Sequence, residues 1–339
     1  MSAAAPVEPR HQVHVLGTPD GAELAVSTHG DPDAPLSVIL CHGWTMSALD
    51  WRPHIDALTR PRAGFPALRA ISFDQRGHGR STRGSAVLDM ELLCADLALV
   101  LADAARDGRP VILIGHSMGG MAIQELAARR PGLFGTDVAG VGLISTSLNE
   151  VGATLSALND RPGPTGTATS PGSRRRARTQ RKVADRLLRS PRAARTAHRL
   201  LTGPLSHPTT APLWRAVFGP GPTTEAVRAN ARAFRDVPVL AIAEFYSALT
   251  SHDCAGRIRA LGNVPTRVLV GELDRYTPPD QARALASEIP GATLQTVPGH
   301  GHDLPYEQPV LVVETVHALL REGAHGLPRG SAMSTAAPR

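Results

Sequence analysis

The sequence predicts an α/β fold, with a mostly parallel central sheet flanked by helices on both faces. Three observations lead there. Short β-rich apolar runs alternate with segments of helical periodicity toward both ends of the chain, as they do when crossover helices join parallel strands. Several of those runs, such as LSVILC and PVILI, are apolar almost without interruption, as strands covered on both faces must be. The rhythm breaks at 147–235, which predicts a helical cap or lid inserted over the sheet.

In chain order, strands are expected at 22–28 (AELAVST) and 36–41 (LSVILC), then a helix near 48–59. A strand at 67–73 (ALRAISF) and a helix near 86–106 follow. The strand 110–114 (PVILI) runs into a helix from about Ser117 to Arg129, which Pro131 stops. The strand 138–145 closes this half. After the insertion come a strand at 266–271 (TRVLVG), a helix near 279–288, a strand at 292–297 and a helix near 308–321. The core domain is thus expected to combine 10–146 with 236–322. Within the insertion, 159–173 is rich in Pro, Gly, Ser and Thr and reads as a loop, and 323–339 reads as a disordered tail.

Composition narrows the functional classes. The 339 residues are 42% hydrophobic and 19% charged, the profile of a globular protein rather than a disordered one. No apolar run is long enough to span a membrane, and the first residues lack a signal-peptide core, so a cytoplasmic location is expected. Cys41, Cys94 and Cys254 are widely spaced and match no zinc pattern, which points to reduced, buried thiols. The net charge of +6 is local: 174–199 holds ten arginines and Lys182 against Asp185 alone, so the rest of the chain is mildly acidic. That block, Arg174 to Arg199, reads as a solvated helical face or as a surface pressed against anionic lipid. Aromatic residues are too sparse around it for base stacking, and nucleic acid is not an expected partner.

The segment Gly115-His116-Ser117-Met118-Gly119-Gly120 lies where the strand PVILI ends and a helix begins. A Gly-x-Ser-x-Gly run in a strand–turn–helix setting is a nucleophile elbow: the turn strains the serine backbone and lifts its hydroxyl clear of the sheet. Ser117 then stands at a helix N-terminus, where negative charge is favoured. A serine needs a base, and the base an orienting carboxylate, in the chain order Ser, acid, His. Asp274 follows the strand TRVLVG at its C-terminal end, with Glu272 nearer the strand as its competitor. Two histidines, His300 and His302, follow the last strand, and spacing alone does not choose between them. The oxyanion donors are expected to be the backbone N–H groups of Met118 and Trp44, the latter turned toward the site by Gly43. His42 is read as bracing that loop, and Trp44, Trp51 and His116 are the expected pocket residues. The run Asp74-Gln75-Arg76-Gly77-His78-Gly79-Arg80-Ser81 fits no phosphate-binding pattern and is read as a turn held by Asp74 and Arg76.

Together these segments resemble the α/β-hydrolase superfamily: HGW at 42–44, DQRGHGRS at 74–81, GHSMGG at 115–120, GELDRYTPP at 271–279 and GHGHDLPYEQP at 299–309. The likeness covers nearly all of 20–321 except the insertion. In relatives the base sits in a Gly-His pair five residues before a Glu-x-Pro, so the resemblance selects His302, five residues before Glu307. It points to the esterase, lipase and cofactor-free haloperoxidase-like branch, without a metal or organic cofactor. Epoxide hydrolases and haloalkane dehalogenases carry Asp where this chain has Ser117. The expected activity is cleavage of a small-molecule carboxylic ester through an acyl-enzyme. Perhydrolase, acyltransferase and C–C hydrolase chemistry are the alternatives on the same triad, with interfacial lipase action at anionic lipid as a further one. A non-enzymatic binding protein would be favoured by a missing triad member, and none is missing.

Overall fold

A computed structural model describes residues 10–149, 151 and 237–323, with single positions at 175, 179, 182, 190, 192, 196 and 218. The insertion expected at 147–235, with its basic block at Arg174–Arg199, and the tail at 323–339 fall outside the described residues, apart from those positions and the ends of the flanking segments.

Eight strands form one sheet: β1 (Arg10–Gly17), β2 (Glu23–Gly30), β3 (Ser37–Cys41), β4 (Arg69–Phe73), β5 (Val111–His116), β6 (Val138–Ile144), β7 (Thr266–Gly271) and β8 (Thr293–Val297). Their order is β1-β2-β4-β3-β5-β6-β7-β8. From β4 to β8 all pairings are parallel, whereas β1 and β2 form an antiparallel hairpin at one edge. The helices are α1 (Arg52–Leu58), α2 (Met90–Ala104), α3 (Met118–Arg129), α4 (Val239–Ser251), α5 (Pro279–Glu288), α6 (Leu304–Glu307) and α7 (Pro309–Gly323). Among the described residues, no helix is long and apolar enough to cross a membrane.

The period-2 geometry of a strand explains the continuous apolar runs. In β5, Val111 and Leu113 join a core on one face with residues of α2, α3, α4 and α5, while Ile112 and Ile114 join the opposite core with α1 and α7. Every residue of β5 is buried, so its runs need no polar alternation. Three elements went unpredicted, one of them the single turn α6, which is too short to show a period. Strand β1 is an edge strand whose Val13 and Val15 stay about half exposed (47% and 56%), so it carries no core-like run. Helix α4 is apolar on several sides, with Ala241, Phe245, Ala248 and Leu249 in the core, which blurs the amphipathic signature.

The 74–81 segment ties these layers together. The Arg76 side chain is 1% exposed and pairs with Asp96 of α2 through Nε–Oδ2 (2.5 Å) and Nη2–Oδ1 (2.6 Å). Its Nη1 also donates to Asp20, in the turn between β1 and β2, at 2.9 Å. Burial pushes the Asp96 carboxyl up, and the guanidinium opposes that shift. Removing the cation alone strands a buried carboxylate, so Arg76→Met should lower stability by about 3–5 kcal/mol in urea unfolding. The double variant Arg76→Met/Asp96→Leu should recover a large part of the loss. A midpoint unchanged in the single variant would contradict this role.

Candidate active site

Ser117 occupies the sharp junction between β5 and α3, with φ 51° and ψ −116°, one of the few non-glycine residues at positive φ among the described residues. Such a backbone costs about 1–3 kcal/mol and persists only where its surroundings enforce it. Here the Ser117 N–H donates to the Ile144 carbonyl (2.9 Å), and the Ser117 carbonyl accepts from Met121 N (3.1 Å) and Thr146 Oγ1 (2.9 Å). Gly119 packs directly on the Cys41 carbonyl, and a Cβ at Gly115 would sit 2.6 Å from Gly120 N. Larger residues at these two positions would push the helix off the strands, which is the physical content of the Gly-x-Ser-x-Gly spacing.

The parallel register brings the other groups to the same end of the sheet. Asp274 follows β7 and His302 follows β8, both beyond the C-terminal ends of their strands. His302 Nδ1 donates to Asp274 Oδ2 at 2.9 Å, and His302 Nε2 lies 3.1 Å from Ser117 Oγ. Asp274 is buried and fixed by its own loop: Oδ1 accepts from the N–H groups of Tyr276 (2.8 Å) and Thr277 (2.9 Å), and Oδ2 from Thr277 Oγ1 (2.8 Å). The alternative residues face elsewhere. His300 Nδ1 donates to the Pro298 carbonyl at 2.6 Å and Nε2 pairs with Gln308, while Glu272 accepts from Gly299 N.

The loop after β3 stands beside this elbow because Cys41 pairs with Gly115 in the sheet. It closes a tight turn, Met46 N donating to Gly43 O at 3.2 Å, with Thr45 at φ 62°. A Cβ on Gly43 would lie 2.8 Å from His116 Nδ1, so the Trp44 backbone is held close to the residue preceding Ser117. Met118 opens α3, and its N–H is among the first four of that helix, which have no intrahelical acceptor.

The alpha/beta hydrolase family profile matches residues 38–315. The chain belongs to that family. A non-heme chloroperoxidase from Streptomyces lividans is 38% identical over 112 residues, 33% of this chain and 38% of that protein. A bifunctional esterase/perhydrolase from Acinetobacter calcoaceticus is 34% identical over 114 residues, 34% of this chain and 38% of that protein. These matches therefore span well under half the length of the curated relatives. Among solved structures, a thermophilic esterase from Thermogutta terrifontis superposes with a TM-score of 0.66 at 24% identity, covering 94% of this chain and 99% of that one. That similarity carries the fold.

In this alpha/beta hydrolase, three other histidines near the site serve the backbone. Burial lowers the pKa of His42, and drives His78 and His116 down to about 3, so all three are neutral at physiological pH. His42 Nε2 accepts from Gln75 N at 2.9 Å, and His78 Nε2 accepts from Thr45 N at 3.2 Å. Asp74 accepts from Ala48 N (2.7 Å) and Arg80 N (3.0 Å), so the 74–81 segment clamps both ends of the Trp44 loop. His116, expected at the pocket, is buried instead and its Nε2 donates to the His302 carbonyl at 3.0 Å. Trp51, also expected there, has no exposed surface and packs in the core with Ile55 and Val312. Trp44 stays partly exposed and packs near Tyr246, with ring centroids 6.3 Å apart.

Four aromatic and acidic contacts were not anticipated. The Tyr276 ring lies 5.0 Å from that of His302. Tyr306 donates to buried Asp50, which joins the His302 loop to the turn following Trp44. Phe218, from the expected insertion, packs against Tyr276 and Tyr306. Glu307 accepts from Gly301 N (2.9 Å), which gives the spacing of Glu307 behind His302 a mechanical reason.

Burial alone would lower the His302 pKa, but the Asp274 charge and hydrogen bond outweigh it and hold the imidazole above its ordinary value of 6.5. An NMR titration of His302 should therefore give a midpoint above 6.5 in the wild type. In Asp274→Asn burial is left to act and the midpoint should fall below that value. A wild-type midpoint below 6.5 would contradict the assigned balance.

Proposed function

We propose that the protein is a serine hydrolase that cleaves small-molecule carboxylic esters through an acyl-enzyme. The observation that carries this reading is the continuous hydrogen-bonded chain from Asp274 through His302 to Ser117, with the serine at positive φ on a helix start. Ser117 Oγ attacks the ester carbonyl carbon while its proton passes to His302 Nε2. Asp274 keeps Nδ1 protonated and stabilises the imidazolium. The oxyanion forms against the N–H groups of Met118 and Trp44, each worth about 3–4 kcal/mol in the transition state. His302 then gives its proton to the departing alkoxide, the alcohol leaves, and Ser117 retains the acyl group. Water, deprotonated by His302, attacks the acyl carbon, and collapse of the second tetrahedral intermediate returns the proton to Ser117 and releases the acid. Attack requires neutral His302, so activity declines as pH falls through its raised pKa.

A second reading keeps the acyl-enzyme and changes its acceptor. The matched stretches of the chloroperoxidase and the bifunctional esterase/perhydrolase favour hydrogen peroxide in place of water, which would release a peroxy acid. Acyltransfer to an alcohol and C–C hydrolysis use the same residues but lack such a relative among those described.

Kinetics on p-nitrophenyl esters of graded chain length test the proposal. The wild type should show a preferred acyl length, and Ser117→Ala should lose roughly 10⁴–10⁶-fold in kcat. Repeating the assay with peroxide or a competing alcohol and analysing the products identifies the acceptor. Equal rates in wild type and Ser117→Ala would overturn the proposal.

A further inference from the structure

A second cluster of titratable groups lies on α3, at Glu125, eight residues and about 12 Å along the helix axis from Ser117. It is completed by His252, where α4 ends, and by Cys254, whose backbone N–H donates to the Leu148 carbonyl at 3.1 Å. All three residues are buried, Cys254 completely. One nitrogen, one sulfur and one oxygen of the trio lie within 4.8 Å of one another.

Two details distinguish this cluster from an ordinary polar knot. Neither ring nitrogen of His252 has a hydrogen-bond partner among the described residues, although its side chain has no exposed surface. Its Nδ1 stands 3.5 Å from Glu125 Oε1, too far for a good hydrogen bond. An imidazole buried in this way costs about 1–3 kcal/mol unless something satisfies it. The Glu125 carboxylate is also oriented. Arg129 Nε (3.0 Å) and Arg257 Nη2 (3.5 Å) both hold Oε2, and Oε1 is left facing His252. Outer contacts of this kind fix the ligands of metal centres.

We propose that Glu125, His252 and Cys254 form a buried site for a zinc-class divalent transition-metal ion, which pins the end of α4 to the helix that begins at Ser117. The donor set selects the ion: imidazole nitrogen and thiolate suit zinc or cobalt, whereas magnesium and calcium require oxygen ligands throughout. Holding one ion requires the trio to close from within 4.8 Å to the roughly 3–4 Å separations of tetrahedral ligands. The Cys254 thiol loses its proton to solvent as the metal–sulfur bond forms, and water takes the fourth position. The two arginines oppose a cation and limit affinity, but Arg129 is also neutralised by Glu91 at 3.0 Å. No zinc spacing is visible in the sequence because Glu125 stands 127 residues before His252 and only folding joins them. The role is structural and independent of the ester chemistry proposed for Ser117.

The test uses the full chain, stripped with a chelator and titrated with Co²⁺. One equivalent should bind with a thiolate-to-cobalt charge-transfer absorption, and Zn²⁺ should displace it. His252→Gln and Cys254→Ser should each weaken binding at least about tenfold, the lower end of what outer-shell changes alone cost. Alkylation of the wild type in sub-denaturing urea gives a readout that needs no variant to fold. Zn²⁺ should slow modification of Cys254 severalfold more than that of Cys41 or Cys94. Absence of the charge-transfer band, binding unchanged in both variants, or equal slowing of all three cysteines would overturn the proposal.

Discussion

The strained turn at Ser117 is the constraint on which the rest of the molecule depends. A serine at φ 51° is held there by hydrogen bonds to β6 and to the loop that follows it, and by glycines that let α3 close on β3 and β5. That close approach sets how near Cys41 and Gly43 come to His116, and so where the Trp44 turn sits. The parallel sheet does the remaining positioning. Because β5, β7 and β8 run in the same direction, their C-terminal ends deliver Ser117, Asp274 and His302 to one edge. No long side chain has to reach across the molecule.

The buried residues His42, His78, His116 and His302 share this region, and their surroundings divide them. His42, His78 and His116 have no carboxylate on the ring and are held neutral by burial, which makes them fixed hydrogen-bonding braces. His302 alone of the four is bonded to a buried carboxylate, and that one contact reverses the sign of its shift. The Arg76–Asp96–Asp20 network performs a comparable service one layer further out, since it anchors the segment that clamps the Trp44 turn. Rigidity at the site is thus built from polar groups bonded to the backbone and to one another, while the indole N–H groups of Trp44 and Trp51 and the His54 ring have no hydrogen-bond partner among the described residues.

What was legible in the sequence followed local physics. The strands from β3 to β7 and the helices α1, α2, α3, α5 and α7 were readable because buried parallel strands and their crossover helices have distinct periods. Antiparallel β2 and the mostly exposed edge strand β8 showed as β-rich runs within the same rhythm. The elbow was readable because only small residues fit where Gly115 and Gly119 lie. Edge strand β1 and helix α4 escaped because one has too little burial and the other too much. Side-chain roles set by tertiary contact were less accessible. Trp51 and His116 look like pocket residues next to their motifs, yet each turns inward. The Tyr306–Asp50 link and the Glu125–His252–Cys254 cluster join residues far apart in the chain, and no local pattern announces either.

The geometry at Ser117 should make its hydroxyl a nucleophile. Labelling of the wild type with a fluorophosphonate, followed by peptide mapping, tests it most directly. A phosphonyl adduct should form on Ser117 in stoichiometric amount, slowed strongly in a His302→Gln variant. Folded wild-type protein that stays unlabelled at Ser117 would contradict the account.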